Sequence, residues 1–302
     1  MNKDNYLVTG SEGFVGFNLS NYINKLGHNV FGIDLNDGSD NLKNWRKLQL
    51  DSAGIKTFNV DISDKYQIEE FQNNFRSKPF KSIFHLAGLA GVRKSLEIPE
   101  KYYDVNLRGT LNVLNMAKNF DVNSLVFSST SSVYGGSKHN SKEEDKLYPI
   151  SPYANSKLLA EKICKLYADS YELNISILRY FTVYGEAGRP DMSVLKFIDN
   201  IDNGDSIVIY GDGKHEREYI SINDLVIAVE KTINYLGKNS NNEICETFII
   251  SSGEPISMVG LASKCVEKIG RGKVEHIDKS SQAFSLKSNI DNAKKKLGWE
   301  PK

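Results

Sequence analysis

Short runs of strand-forming apolar residues alternate with longer stretches whose apolar positions recur every three or four residues, and this rhythm governs the first part of the chain. Tyr6 to Val8, Asn29 to Ile33, Thr57 to Val60, Ile83 to Leu86, Ser124 to Phe127 and Asn174 to Leu178 read as strands. A helix after the first strand presents Phe17, Tyr22, Ile23 and Leu26 on one face, and further helices are expected near Asp64 to Phe75 and Tyr102 to Asn119. Such alternation predicts an α/β fold built on a doubly wound parallel sheet. Beyond this the pattern loosens: a helix at Val194 to Asn203, strands near Ile207 and Glu218, a helix near Asp224 to Tyr235, a strand at Thr247 to Ile250 and a helix at Ser257 to Ile269. The expected division is residues 1–180 as a nucleotide-binding domain, with later segments returning to it, and 181–302 mainly as a smaller, interleaved mixed α/β substrate-binding lobe.

The first strand runs directly into Gly10-Ser-Glu-Gly13-Phe14-Val15-Gly16 and its helix. Gly10 permits a tight turn, Gly13 lets backbone N–H groups approach a pyrophosphate at the helix N-terminus, and Gly16 allows close packing of helix on strand. Phe14 and Val15 join the expected cofactor contacts. The second strand ends in Asp34, at the distance expected of an acid that binds the adenosine ribose hydroxyls. A carboxylate there repels a 2′-phosphate and no Arg follows it immediately, which favours NAD over NADP; otherwise Asp34 merely shapes a turn. The third strand ends in Asp61-Ile62, suited to capping the adenine edge. The fourth ends in His85-Leu86-Ala87-Gly88, small enough for a dinucleotide to lie across the strand ends.

Phe127-Ser-Ser-Thr130-Ser131-Ser132 places hydroxyls at the end of the fifth strand, and Tyr153 and Lys157 follow one helical turn apart on a shared face. A phenol with an unperturbed pKa of about 10 is a poor base at neutral pH. A neighbouring ammonium favours the phenolate and makes proton abstraction from a substrate hydroxyl feasible, with Thr130, Ser131 and Ser132 holding that hydroxyl. Tyr-x-x-x-Lys alone also occurs on ordinary amphipathic helices.

Composition narrows the partners. Lys plus Arg and Asp plus Glu both number 38, so the formal charge is zero and no nucleic-acid partner is expected. MNKDNYLVTG lacks the long apolar core of a signal peptide and no later run would cross a bilayer, so a soluble cytoplasmic protein without a membrane partner is expected. Cys164, Cys245 and Cys265 are odd in number and widely spaced, which fits reduced thiols rather than disulfides or a metal site.

Together, Gly10-x-x-Gly13-x-x-Gly16, Asp34, Asp61, the serine-rich strand end and Tyr153-x-x-x-Lys157 resemble the extended short-chain dehydrogenase/reductase superfamily, in its nucleotide-sugar-modifying branch, over almost the whole length. Within that branch Ala90-Gly-Val-Arg93-Lys-Ser-Leu96, Phe181-Thr-Val-Tyr-Gly185 and Gly188-Arg-Pro-Asp-Met192 are similar to segments of the UDP-glucuronate 4-epimerase family. The resemblance implies a Rossmann sheet and a tightly held NAD, reduced and reoxidised within each turnover. It implies that Tyr153 takes the proton from the sugar 4-hydroxyl, leaving a 4-keto sugar that turns its other face before reduction. Arg217, in Glu216-Arg217-Glu218, resembles the diphosphate-binding arginine; the alternative is a surface ion pair. Arg93, Thr182 and Arg189 are the remaining implied substrate contacts. Arg189 suits an anionic sugar because a bidentate pair gives charge and orientation together, or else it is a rim residue paired with Asp191.

Related dehydratases need an acid–base pair after the Thr, and related decarboxylases carry a Glu nearby; here both positions are serine, which disfavours those reactions. Epimerases of UDP-glucose or UDP-N-acetylglucosamine are the main rival, and they usually carry Asn where this chain has Thr182. A non-catalytic nucleotide-binding regulator would not need Thr130, Tyr153 and Lys157, all of which are present. The resemblance also implies a homodimer through the helices after Tyr102 and Tyr153. Two departures stand out: Gln282 replaces a usual Asp, leaving a nucleotide contact open, and the chain stops at Pro301-Lys302 where relatives continue through another helix, as a truncated chain would.

Overall fold

A computed structural model describes residues 3–75, 80–136, 140–239, 244–278 and 285–302. In chain order the first half comprises β1 (Asn5–Thr9), α1 (Phe14–Lys25), β2 (Asn29–Asp34), α2 (Asn41–Ser52), β3 (Lys56–Asn59), α3 (Lys65–Phe75) and β4 (Ser82–His85), then α4 (Val92–Glu97), α5 (Pro99–Tyr103), α6 (Gly109–Asn119), β5 (Ser124–Thr130), β6 (Asn140–Ser141), α7 (Pro152–Tyr171) and β7 (Asn174–Tyr180). There follow β8 (Thr182–Tyr184), α8 (Ser193–Asp202), β9 (Ile207–Tyr210), β10 (Glu216–Ser221), α9 (Ile222–Lys238), β11 (Cys245–Ile250), β12 (Pro255–Ser257), α10 (Met258–Ile269), β13 (Val274–Ile277), β14 (Lys287–Ser288) and α11 (Asp291–Leu297).

Seven parallel strands in the order β11-β7-β5-β4-β1-β2-β3 form the large sheet. The chain winds outward in opposite directions from β1 and β4, so a crevice opens beyond their C-terminal ends, where this topology binds ligands. Neighbouring residues of a strand face opposite sides. Val8 therefore enters a core with Phe17, Val126, Phe248 and the α9 residues Leu225 and Val229, while Leu7 enters the opposite core with Ile83, Phe127, Phe71 and Val113. Smaller sheets, β12-β10-β8 and β13-β9, with α8 and α10, enclose a third core around Phe197, Ile207, Tyr219 and Leu261. No helix among the described residues is long and apolar enough to cross a membrane.

Several expectations change. Leu26 is no part of the buried face of α1; it caps the helix C-terminus and is 45% exposed. The stretch Tyr102 to Asn119 is interrupted, with Asp104–Arg108 forming a π-helical turn between α5 and α6. Helices α2 and α4 lack a continuous apolar stripe and were not expected; Asp40 starts α2 by accepting the Lys43 N–H at 3.0 Å, and its inward face buries Arg46 and Leu50. The strand at Thr247 to Ile250 lies in the large sheet rather than the lobe, with Thr247 opposite Ile177 and Ile250 opposite Tyr180. Its outer edge is covered by Glu143, which accepts the Ile249 N–H at 2.9 Å, and by Asn292, which donates to Thr247 O at 3.2 Å. Gln282 lies outside the described residues.

Candidate active site

The turn after β1 leaves no room for a side chain at Gly10 or Gly16. Gly10 has φ +73°, and a Cβ there would sit 2.7 Å from the Ala87 nitrogen; one at Gly16 would sit 2.0 Å from Gly10 O. Gly13 caps α1 with no side chain covering the first-turn N–H groups, where the half-buried Phe14 and Val15 begin the helix. Asp34, at the end of β2, accepts the Glu12 N–H at 2.8 Å and pairs with Lys43 at 2.6 Å. That lysine comes from α2, nine residues onward, and was not foreseen; its charge is already matched by Asp34. Asp61 turns one oxygen back to Ser63, accepting from its N–H at 2.8 Å and its hydroxyl at 2.7 Å. The Ile62 side chain is core, pressed on Gly109, while its carbonyl takes a bond from Asn112 at 2.9 Å.

Leu86 and Ala87 bond Thr9 through their N–H groups at 3.1 Å each, and the exposed Gly88 would place a Cβ 3.9 Å from Lys157 Nζ. Lys157 is buried and makes no hydrogen bond or ion pair among the described residues; its ammonium lies over the Phe127 ring. Burial lowers its pKa to about 8. A glycine cradle, an uncapped helix N-terminus, a carboxylate at the end of β2 and an unpartnered ammonium fit a dinucleotide lying across β1 and β4.

Ser151 caps α7 by accepting the Ala154 N–H at 3.2 Å, and Pro152 opens its first turn, so Tyr153 stands at the helix start. Its phenol bonds the Thr130 side chain and its ring meets Tyr102 edge-on at 6.2 Å. Burial raises the phenol pKa, opposed by the Thr130 bond and by the Arg189 charge. Lys157 extends toward Gly88 and Phe127, while the Thr130 bond and the Arg189 charge act directly on the phenol. Thr130 Oγ1 also accepts the Ser132 N–H at 3.1 Å, starting the short turn that carries the half-buried Ser131 and Ser132.

Three buried groups that support this arrangement escaped the sequence reading. Glu161 and Arg179 form a bidentate pair at 2.8 and 3.1 Å, with Ser129 donating to the carboxylate and Arg179 donating to Tyr134 at 2.8 Å; the pair locks α7 to β5 and β7. Its one local signal was Glu161, a charge four residues after Lys157 on the same helix face. Asn106, in the π-helical turn, accepts the Leu89 N–H at 2.7 Å and donates to Leu89 O and Ser156 Oγ, both at 3.0 Å. His85 is bonded to Thr9 at 2.7 Å and Thr110 at 3.0 Å, and burial holds its pKa down at about 3, so it is neutral.

On the other side of the crevice, Thr182 opens β8 beside Tyr219 of β10. Arg217 is partly buried and its guanidinium has no ion pair or hydrogen bond among the described residues, since Glu216 pairs with Lys287 at 2.6 Å and Glu218 accepts from Ser251 at 2.5 Å and from the Ser288 N–H at 2.7 Å. Its flanking carboxylates thus leave the guanidinium available to an anion. Arg189 is paired with Asp191, bidentate at 2.6 and 3.0 Å, yet its Nη2 lies 4.0 Å from where a Gly91 Cβ would be and its charge reaches Tyr102 and Tyr153. Arg93 is exposed on α4.

The NAD dependent epimerase/dehydratase family matches residues 6–245. A UDP-glucuronate 4-epimerase of Thermodesulfobacterium geofontis is 38% identical over 98% of this chain and 91% of its own length. The UDP-glucuronic acid 4-epimerase of Bacillus cereus, solved in complex with UDP-glucuronic acid and NAD, has a TM-score of 0.86 at 27% identity, covering 99% of this chain and 94% of that one. The UDP-glucose 4-epimerase of Thermotoga maritima, solved with UDP-glucose, has a TM-score of 0.84 at 27% identity over the same shares. With the family's pattern running from the first strand of the large sheet to the start of β11, the chain belongs to the NAD dependent epimerase/dehydratase family.

Proposed function

We propose that the protein interconverts UDP-glucuronate and UDP-galacturonate by NAD-dependent epimerisation at C4. The observation that carries this reading is the Arg189 guanidinium, which borders Gly91 and acts on the Tyr153 phenol, so one cleft holds both a base and a carboxylate partner. NAD, when bound, supplies a reversible acceptor for the C4 hydrogen. The turn Gly10 to Gly16 with Phe14 and Val15, the carboxylates of Asp34 and Asp61, the backbone of Ile62 and of Leu86 to Gly88, and Lys157 would hold it. Tyr153 takes the O4 proton as C4 is oxidised and returns it when the ketone is reduced on its other face, with Thr130 steadying the phenol. Arg217 grips the diphosphate throughout, and Thr182, Ser131, Ser132 and Arg93 orient the sugar.

Incubation with UDP-glucuronate and no added oxidant is expected to give UDP-galacturonate, read by chromatography of the product sugars; unchanged substrate would overturn the reading. A neutral-hexose epimerase is the second reading, favoured by the Arg189–Asp191 pair, which satisfies the guanidinium within the chain. Equal efficiency with UDP-glucose would select it.

The reading includes a homodimer, supported by the exposed Leu111, Leu166 and Tyr171 on α6 and α7, and measurable by light scattering. It also includes a cytoplasmic location, which the three free cysteines fit. Residues 1–180 with the returning β11 make the nucleotide-binding domain, and the elements around the third core make the substrate-binding lobe.

A further inference from the structure

Three successive carbonyls lead into Arg189, and each is held from the cofactor half of the molecule. Glu186 O accepts from Asn18 Nδ2 on α1 at 3.0 Å. Ala187 O accepts from Arg46 Nη2 on α2 at 2.6 Å, and Gly188 O accepts from the same nitrogen at 3.4 Å. Arg46 Nη1 donates in turn to Glu12 O, inside the glycine turn, at 3.3 Å. The segment is itself tightly folded: Ala187 has φ +56°, and a Cβ at Gly188 would lie 2.8 Å from Gly185 O. Arg46 is only 4% exposed and its Nε has no partner. A buried cation with an unsatisfied donor costs stability. Its charge repels that of Arg189, so the hold it has on that residue runs through the backbone carbonyls and not through attraction.

We propose that Arg46, seconded by Asn18, is a positioning residue for substrate choice, fixing residues 186–188 so that the Arg189 guanidinium faces the substrate carboxylate. The orientation of that guanidinium is thereby tied to the glycine turn that grips the cofactor. This inference rests on the UDP-glucuronate reading.

The test is calorimetric titration of the NAD-loaded protein with UDP-glucuronate and with UDP-glucose, using Arg46→Met, Arg46→Lys, Asn18→Ala, Arg189→Ala and the Arg46→Met/Arg189→Ala double variant. Arg46→Met is expected to weaken UDP-glucuronate about tenfold, the scale of one charge-assisted bond, and to leave UDP-glucose within about twofold. Arg46→Lys should recover part of the loss. In the Arg189→Ala background Arg46→Met should change the preference no further, because a residue that acts through another has nothing left to act on. Equal weakening of both sugars, or effects that multiply in the double variant, would overturn the inference. Should Arg46→Met not fold, Asn18→Ala must still shift the preference in the same direction, and an unchanged preference there is equally fatal. A wild type that binds both sugars alike overturns the functional reading and the inference with it, whereas a wild-type preference that survives the Arg46 variants overturns the inference alone.

Discussion

Lys157 Nζ stands 4.2 Å from the centroid of the Phe127 ring, a cation over an aromatic face with no carboxylate bound to it among the described residues. The ring replaces only part of the lost hydration, which is why the lysine pKa falls to about 8.

The sign of the resulting pH dependence is fixed by proton counting. Between about 8 and about 10.5 the unfolded chain holds a proton on this lysine that the folded protein has released, so the cost of burial is full below that window and fades as pH rises through it. Lys157→Met should therefore raise the stability of the nucleotide-stripped protein at pH 7, by on the order of 3 kcal/mol. The gain should shrink toward pH 10 in parallel melts. The same variant should lose bound NAD on gel filtration.

Tyr153→Phe is expected to cut turnover by about 10²-fold or more while retaining NAD, since it deletes the proton carrier and keeps the ring. Thr130→Val removes a bond that lowers the phenol pKa, so the acidic limb of the kcat–pH profile should move to higher pH. A limb that stays in place would refute that role for Thr130.

Substrate charge should be read by Arg189. Arg189→Ala is expected to erase about ten- to a hundredfold of preference for UDP-glucuronate over UDP-glucose, the worth of about 1.5 to 3 kcal/mol for a charge-assisted pair.

Oxidation at C4 turns a glucuronate into a β-keto acid, which loses carbon dioxide once its carboxylate bond stands perpendicular to the ketone plane. Thr182 and Arg189, with Ser131 or Ser132, are expected to hold the carboxylate near the ring plane and solvated by fixed dipoles. Thr182→Val should slow epimerisation and raise UDP-pentose in the mass spectrum. Loss of activity without any decarboxylated sugar in both Thr182→Val and Arg189→Ala would show that the carboxylate is held elsewhere.

Glu161→Gln should destabilise the protein by about 3 to 5 kcal/mol in urea, because it strands the buried Arg179 charge. A loss below about 1 kcal/mol, as for a surface pair, would mean that the network is replaceable.

Legibility in the sequence followed the reach of each interaction. The strands, the glycine turn, Asp34 and the Tyr153–Lys157 spacing are local patterns, and the parallel sheet follows from their alternation. Arg46 could not be read that way, since its partners lie at Glu12, Ala187 and Gly188, and a lone arginine on a polar-looking helix resembles solvated surface. Asn106 was hidden for a second reason: the π-helical turn shifts the phase of the apolar repeat at the residue that ties Leu89 to Ser156. Thr247 to Ile250 was legible as a strand but not as a member of the large sheet, because sheet membership is decided by pairing with β7.

That late strand has a consequence for biosynthesis. The core containing Val8 and Phe17 is completed only by β11, by α9 and by Trp299, whose indole N–H bonds Asp224 O at 3.0 Å. A nascent chain ending at Tyr180 carries β7 as an open edge and leaves Val126 and Leu178 uncovered on one face, a state prone to pair with its neighbours on the same messenger. Pausing of the ribosome before β11, α9 and Trp299 are made would therefore lengthen the time that this edge and face stay open to a neighbour.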